Sequence, residues 1–173
     1  MMRSLFGGRR RSVFHAGREL GAYRNDLVER SRRIDARLGE LADDIDALRR
    51  RAIEPEEAVR RLTVHEEALD EEAEGLRGML APEELHGLHM EYEANLERAL
   101  RGLVTVERGC AITRLPHRPP DDEEPRTNFK RGHGNVTHAR LRMAEIVQVL
   151  LSWEPGRPAE ATVAARMERP KRT

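Results

Sequence analysis

The feature that most constrains the fold of this chain is a heptad ladder of apolar residues that keeps one phase between residues 27 and 80. Alternating spacings of three and four place its rungs on one face of an α-helix, as in helices that pack along a seam. One set of rungs recurs every seven residues: Leu27, Ile34, Leu41, Leu48, Leu62, Leu69 and Leu76. The second set comprises Leu38, Ile45, Ala52, Val59, Ala73 and Leu80. The ladder predicts long paired helices.

The composition favours the same class of fold. Charged residues make up 36% of the 173 residues and aromatic residues only 3%. Sheets are enriched in aromatic and β-branched residues, whereas long amphipathic helices are rich in charge. The length suits one domain with a real core. We therefore predict an all-α protein of one elongated domain.

Pro55 interrupts the ladder and divides it into two predicted helices. Three arginines at residues 49–51 precede the break, where cations favour a helix C-terminus, and Glu56 and Glu57 follow it, where acids favour a helix N-terminus. Proline is accepted at the first position of a helix but disrupts its interior by about 3 kcal/mol. These signals predict a tight turn. The alternative is one kinked helix, because a kink would preserve the ladder's phase.

Two further helices are predicted after this hairpin. The third begins at residues 82–84, where a proline and two acids repeat the start signal, and the fourth is capped by Asn135. The apolar ladder of the third helix comprises Leu85, His89, Tyr92, Leu96, Ala99, Leu103, Val106 and Cys110. The inner face of the fourth comprises Val136, Ala139, Met143, Ile146, Leu150 and Trp153. The predicted helices lie near 16–51, 55–78, 83–110 and 135–153.

These elements predict an antiparallel four-helix bundle, or elongated helical hairpins with a coiled-coil-like heptad seam, over residues 13–153. Residues 1–12 are expected to form a flexible basic arm. The proline- and acid-rich stretch 113–134 is expected to be a solvated loop, and residues 154–173 a disordered tail.

Excess length of the first helix suggests a function. Helix 1 would be about 50 Å long, so the much shorter fourth helix would leave part of its seam uncovered. This predicts a non-enzymatic interaction or scaffold protein that forms a homo-oligomer or binds a partner helix. The residues expected at this contact are Leu20, Leu27, Ile34, Leu38 and Leu41. No cofactor or small-molecule substrate is evident from any motif.

A second hypothesis concerns the basic N-terminal arm. Its arginines are attracted to anionic surfaces, either membrane headgroups or nucleic acid phosphates, and the alternative is a solvated tail that aids solubility. The residues concerned are Arg3, Arg9, Arg10 and Arg11. The single cysteine and the lack of a long apolar run favour a cytoplasmic protein.

A third hypothesis is a metal site in the bundle. Glu83 and His86 have the i, i+3 spacing that di-iron bundles use, and His89 follows on an adjoining face. Such sites need a second copy of the motif, which this sequence lacks. The alternative is a partly buried His89 beside two exposed residues, with Cys110 as a buried structural thiol.

Overall fold

The computed structural model describes residues 7–117 and 124–154, with side chains from Glu19 onward, as an antiparallel four-helix bundle. Each helix packs on its neighbours in the chain, and the fourth packs on the first, so the helices form a closed ring. The helices are α1 (Gly7–Arg49), α2 (Pro55–Arg77), α3 (His86–Thr113) and α4 (Pro125–Ser152). A short 3-10 helix, Glu83–Leu85, precedes α3. The all-α prediction is confirmed.

A tight turn joins α1 to α2, as predicted from Pro55. Arg51 has a left-handed backbone with φ of 58°. The N–H of Arg51 donates to the carbonyl of Leu48 at 3.0 Å, and the N–H of Ala52 donates to that of Ala47 at 2.8 Å. This pair of bonds is the Schellman arrangement, which satisfies the last carbonyls of a helix. The alternative of one kinked helix is wrong.

The turn changes the face that α2 presents to the core. The ladder predicted that Val59 lies on the seam, and its spacing gives the next seam position to Glu66, but both are only partly buried. Ala58 and His65, one residue earlier, are buried instead. Leu80, the last rung of the ladder, is 94% exposed. The continuous phase in the sequence therefore does not correspond to a continuous seam.

The fourth helix begins earlier than the sequence predicted. It starts at Pro125, and Asn135 lies within the helix instead of capping it. The connection from α3 to α4 consequently spans 114–124, which corrects the predicted solvated loop at 113–134. The first turns of α4 are part of the core, since the Phe129 side chain is buried against α3. All the apolar positions predicted for the inner faces of α3 and α4 are buried.

Glycines bring α3 and α4 into close contact. A Cβ atom added to Gly132 would lie 2.5 Å from the carbonyl oxygen of Gly102 and would overlap Cγ2 of Val106. A Cβ atom added to Gly109 would lie 2.6 Å from the ring of Phe129. Real Cβ atoms do not approach other atoms this closely, so each position requires glycine unless a neighbour moves. This crossing holds α4 tightly against α3.

The ends of the chain differ in part from the predicted boundaries. Residues 7–12, predicted to belong to a flexible arm, form the start of α1. Residues 1–6 lie outside the part of the chain that the structure describes. The predicted tail lies outside it as well, except for Glu154.

Candidate interaction surfaces and buried polar sites

The five residues predicted to contact a partner are buried within this chain. Leu20 is 8% exposed and the other four are 1% exposed or less; the five are Leu20, Leu27, Ile34, Leu38 and Leu41. They are covered because the predicted part of α4 runs antiparallel beside this stretch of α1, with Arg140 bonded to Asp35 and the Trp153 carbonyl bonded to Arg24. The predicted uncovered seam is therefore wrong for these residues.

The part of α1 that continues past the bundle lies nearer its N-terminus. The bundle closes at this end through Tyr23, which bonds His89 of α3, and through Arg24, which bonds the Trp153 carbonyl after α4. Ahead of Glu19, α1 has a further 12 residues, 7–18. At 1.5 Å per residue this segment is about 18 Å long. We call residues 7–18 the α1 extension.

The α1 extension carries most of the predicted anion-binding arginines. Arg9, Arg10 and Arg11 belong to it, whereas Arg3 lies outside the described residues. Its sequence has four arginines in total and no acidic residue. The second half of the predicted basic arm, residues 7–12, is therefore helical.

A buried polar chain links α1 to α3 at the same end of the bundle. The Tyr23 hydroxyl lies 3.0 Å from Nδ1 of His89, and Nε2 of His89 lies 3.1 Å from a carboxylate oxygen of Glu93. Burial raises the pKa of Tyr23, and the negative charge of Glu93 raises it further. The tautomer of His89 with its proton on Nε2 directs that proton towards Glu93 and lets Nδ1 accept from the Tyr23 hydroxyl. The arrangement positions the imidazole in the core.

The residues predicted to bind a metal are not brought together. Glu83 and His86 are exposed, while His89 is buried and bonded within the polar chain. Across the described residues, no group of three or more histidine, cysteine, aspartate or glutamate side chains could hold a metal ion. Sequence reasoning missed Tyr23 and Glu93 as the partners of His89, although the i, i+4 spacing of His89 and Glu93 on α3 is a signal for the second.

A second polar cluster joins α1 to α2. Nε2 of His65 lies 3.0 Å from Oδ2 of Asp44, and Arg61 donates to Oδ1 of Asp44 at 2.8 Å. Burial would raise the pKa of Asp44, but the hydrogen bonds from His65 and Arg61 outweigh it and hold the pKa below its ordinary value. Nδ1 of His65 is buried and has no hydrogen-bond partner. This cluster ties two helices together through one carboxylate.

The single cysteine is a structural thiol. Cys110 is fully buried in the last turns of α3. Burial raises its pKa to about 11, so the thiol stays protonated at neutral pH. Because the thiolate is the nucleophile, Cys110 is not poised for covalent chemistry.

A partly open apolar trough lies between α1 and α4. It has a volume of about 260 Å³, and we call it the α1–α4 trough. Tyr92 of α3 contributes to its lining, and Arg32, Asp35 and Arg140 add charged groups. Its apolar lining includes Val28, Leu38, Met143, Ala144, Val147 and Leu151.

A larger cavity of about 550 Å³ lies at the opposite end of the bundle, where α2 and α4 begin. Its lining mixes charges of both signs: Arg49, Arg51, Arg126, Glu54 and Glu124. The two glutamates are the residues that precede α2 and α4, so they bring negative charge to the helix ends that would otherwise attract an anion.

Comparison with known proteins yields no matching family model, no matching curated protein and no matching solved structure. Within residues 7–117 and 124–154, none of the helices combines the length and apolar character needed to cross a bilayer.

Proposed function

We propose that this protein is a non-enzymatic helical interaction or scaffold protein that self-associates or binds a partner helix through the α1 extension. The observation that carries the proposal is the length of α1, which has 43 residues while the longest of the other helices has 28. At this end of the bundle α3 and the residues after α4 meet α1 at Tyr23 and Arg24, so α1 extends further along the bundle axis than the helices beside it. A helix that leaves its bundle needs another surface to stabilise it, since isolated segments of this length are marginal in water.

The polar groups in the described core support a structural role. The ring nitrogens of His89 lie beside Tyr23 and Glu93, and Asp44 of α1 is bonded by His65 and Arg61 of α2. Cys110 is kept protonated by burial. His89 and Asp44 hold helices together and Cys110 is inert, and this suits a stable bundle from which α1 extends.

The proposal is tested by interrupting the α1 extension. Light scattering of the purified protein at micromolar concentration, with crosslinking in its own cells, should detect a dimer, a larger assembly or a protein partner. Ala16→Pro should abolish the association, because an interior proline costs a helix about 3 kcal/mol. Ala16→Ser is the matched control, since serine is tolerated in a helix.

Two results would contradict this proposal. One is a strictly monomeric protein that captures no partner in cells. The other is an association that Ala16→Pro and Ala16→Ser affect equally. Circular dichroism of both variants should retain the helical signal of the bundle, because residue 16 lies two turns before Tyr23 and Arg24, which bond α3 and the end of α4.

A second candidate function is attachment to an anionic surface through the same segment. Three consecutive arginines, residues 9–11, lie in the α1 extension, whose sequence contains no acidic residue. Near an anionic membrane each arginine contributes about 1 kcal/mol, so three would change the affinity roughly a hundredfold. On nucleic acid the same charges would give a strongly salt-dependent affinity.

Charge-matched variants test this candidate. Replacing the three arginines of residues 9–11 by glutamine should weaken binding to vesicles of phosphatidylcholine and phosphatidylserine, or to duplex DNA, by about that hundredfold factor. The control replaces the arginines of residues 49–51, which removes the same charge at the opposite end of α1. Equal loss in both variants would indicate a non-specific charge effect and would reject the α1 extension as the binding segment.

A further inference from the structure

The α1–α4 trough exposes apolar surface next to the end of α4. Leu151 is 47% exposed, and Val28 and Val147 are only partly buried. The trough lies beside the C-terminal half of α4, away from the glycine crossing at Gly132. Residues of α1, α3 and α4 line it without filling it.

The chain leaves the bundle at one end of this trough. Trp153 is 3% exposed, with the Arg24 guanidinium carbon 5.8 Å from the centre of its ring. Arg24 also donates to the carbonyl of Trp153. These contacts fix the chain direction just before Glu154, which lies within one helical turn of Leu151. The sequence that follows starts beside the trough.

The sequence beyond Glu154 has the length and pattern to fill the trough. Prolines and a glycine at residues 155–158 end α4, and residues 159–169 contain neither proline nor glycine. As a helix those 11 residues would be about 16 Å long, which equals the distance along α4 from Leu151 to Arg140 at 1.5 Å per residue. The spacing of an amphipathic helix would place three apolar side chains on one face: Ala159, Val163 and Met167.

We propose that the α1–α4 trough is the docking site of residues 159–169 of the same chain, which lie along it as a short helix antiparallel to α4. A segment tethered by four residues has an effective concentration in the millimolar range, so weak contacts suffice to keep it docked. The small side chains of this segment suit a shallow trough. Docking would cover Leu151 and the half-buried valines.

The test measures how accessible the trough is in the full-length chain. Leu151→Cys introduces a thiol in the trough, and the wild-type protein is the blank because Cys110 is buried. The pair Val163→Asp and Met167→Asp should undock the segment and raise the maleimide labelling rate of that thiol at least tenfold. The matched pair Ala161→Asp and Ala165→Asp adds the same charge at the same spacing on the opposite face, and should leave the rate unchanged.

A thiol outside the trough separates docking from general loosening. Leu141→Cys lies on α4 at a position that is 63% exposed and does not line the trough, so its labelling rate should be the same in every tail variant. Equal labelling of the trough thiol in all tail variants would overturn the proposal. Protection that disappears on dilution would overturn it too, because it would identify a second copy as the occupant.

Discussion

At the scale of single residues, the backbone of Arg51 is the most unusual feature of the described chain. It is the one non-glycine residue there with positive φ, and it closes the C-terminus of α1. Left-handed geometry costs an ordinary L-residue roughly 1–2 kcal/mol, while glycine adopts it readily. The three consecutive arginines predicted a helix end, but the sequence contains no glycine or asparagine there to mark which residue turns.

We expect Arg51→Gly to stabilise the protein by about 0.5–1 kcal/mol, because glycine removes the left-handed strain and part of this gain is offset by its greater freedom in the unfolded chain. Urea denaturation followed by circular dichroism measures the change in the free energy of unfolding. Arg50→Gly removes the same charge at a residue without positive φ, and should be neutral or destabilising by up to about 1 kcal/mol. A stability loss at both positions would contradict this explanation.

At the scale of helices, the crossing of α3 and α4 depends on space that only glycine leaves open. We expect Gly132→Ala to destabilise the protein by about 1–3 kcal/mol, because its Cβ would overlap Val106 and press on the Gly102 carbonyl. Gly134→Ala is the control in the same helix, since a Cβ there meets nothing within 4 Å. That variant should be neutral or more stable by up to about 1 kcal/mol. Similar effects of both substitutions would argue against close packing.

Glu72 connects α2 to α1 through two arginines. Arg30 donates to one carboxylate oxygen at 2.8 Å, and Nε of Arg33 donates to the other at 2.5 Å. Burial would raise the pKa of Glu72, but these hydrogen bonds outweigh it and lower the pKa below its ordinary value. A carboxylate with a lowered pKa in the folded state stabilises the protein above the ordinary value of 4.5. That stabilisation is lost as the pH falls through the lowered value.

We therefore expect Glu72→Gln to cost about 1 kcal/mol at neutral pH and progressively less below pH 4.5. Chemical denaturation of wild type and variant over a series of pH values measures the difference. Glu74→Gln, at an exposed position on the same helix, should change stability little at any pH. A constant difference between wild type and Glu72→Gln across the acid range would show that the carboxylate charge is not responsible.

The sequence predicted α3 well and α4 only in part, for a physical reason. Every rung of α3 except His89 is apolar or aromatic, and the spacing is regular, so the pattern alone identifies its buried face. In α4 the first contacts with α3 are made at Gly132 and beside Phe129, and glycine in a polar stretch resembles a loop in sequence. The signal that finds the true start is Pro125 after an acidic residue, since the same pair begins α2 at Pro55.

At the scale of the whole molecule, the lengthwise alignment of the helices could not be predicted. A heptad seam repeats the same pattern in every heptad, so the rungs at Leu20 and Leu41 give no indication of which ones another helix covers. That choice depends on where α4 lies along α1, and the structure places Arg140 beside Asp35 and Trp153 beside Arg24. The prediction of unpaired rungs failed for this reason, while the excess length of α1 is real and lies at residues 7–18.

The labelling rate of the buried Cys110 thiol reports how often the core of the bundle opens. We expect its thiol in the native protein to react with a disulfide reagent at least a thousandfold more slowly than in denaturant, because exposure requires opening the core and folded domains typically resist this by about 5–15 kcal/mol. The burial that raises its pKa to about 11 slows the reaction further at neutral pH. Rapid labelling of the folded protein would indicate local opening near the end of α3.

The position of Trp153 allows unfolding at one end of the bundle to be followed by its fluorescence. It is the only tryptophan in the sequence, and it lies under Arg24 where α1 emerges from the bundle. Its fluorescence therefore monitors that end, whereas far-ultraviolet circular dichroism averages over every helix. Coincident thermal transitions in the two signals would mean that the bundle melts as a unit. A fluorescence transition at lower temperature would mean that it opens from the end where the α1 extension begins.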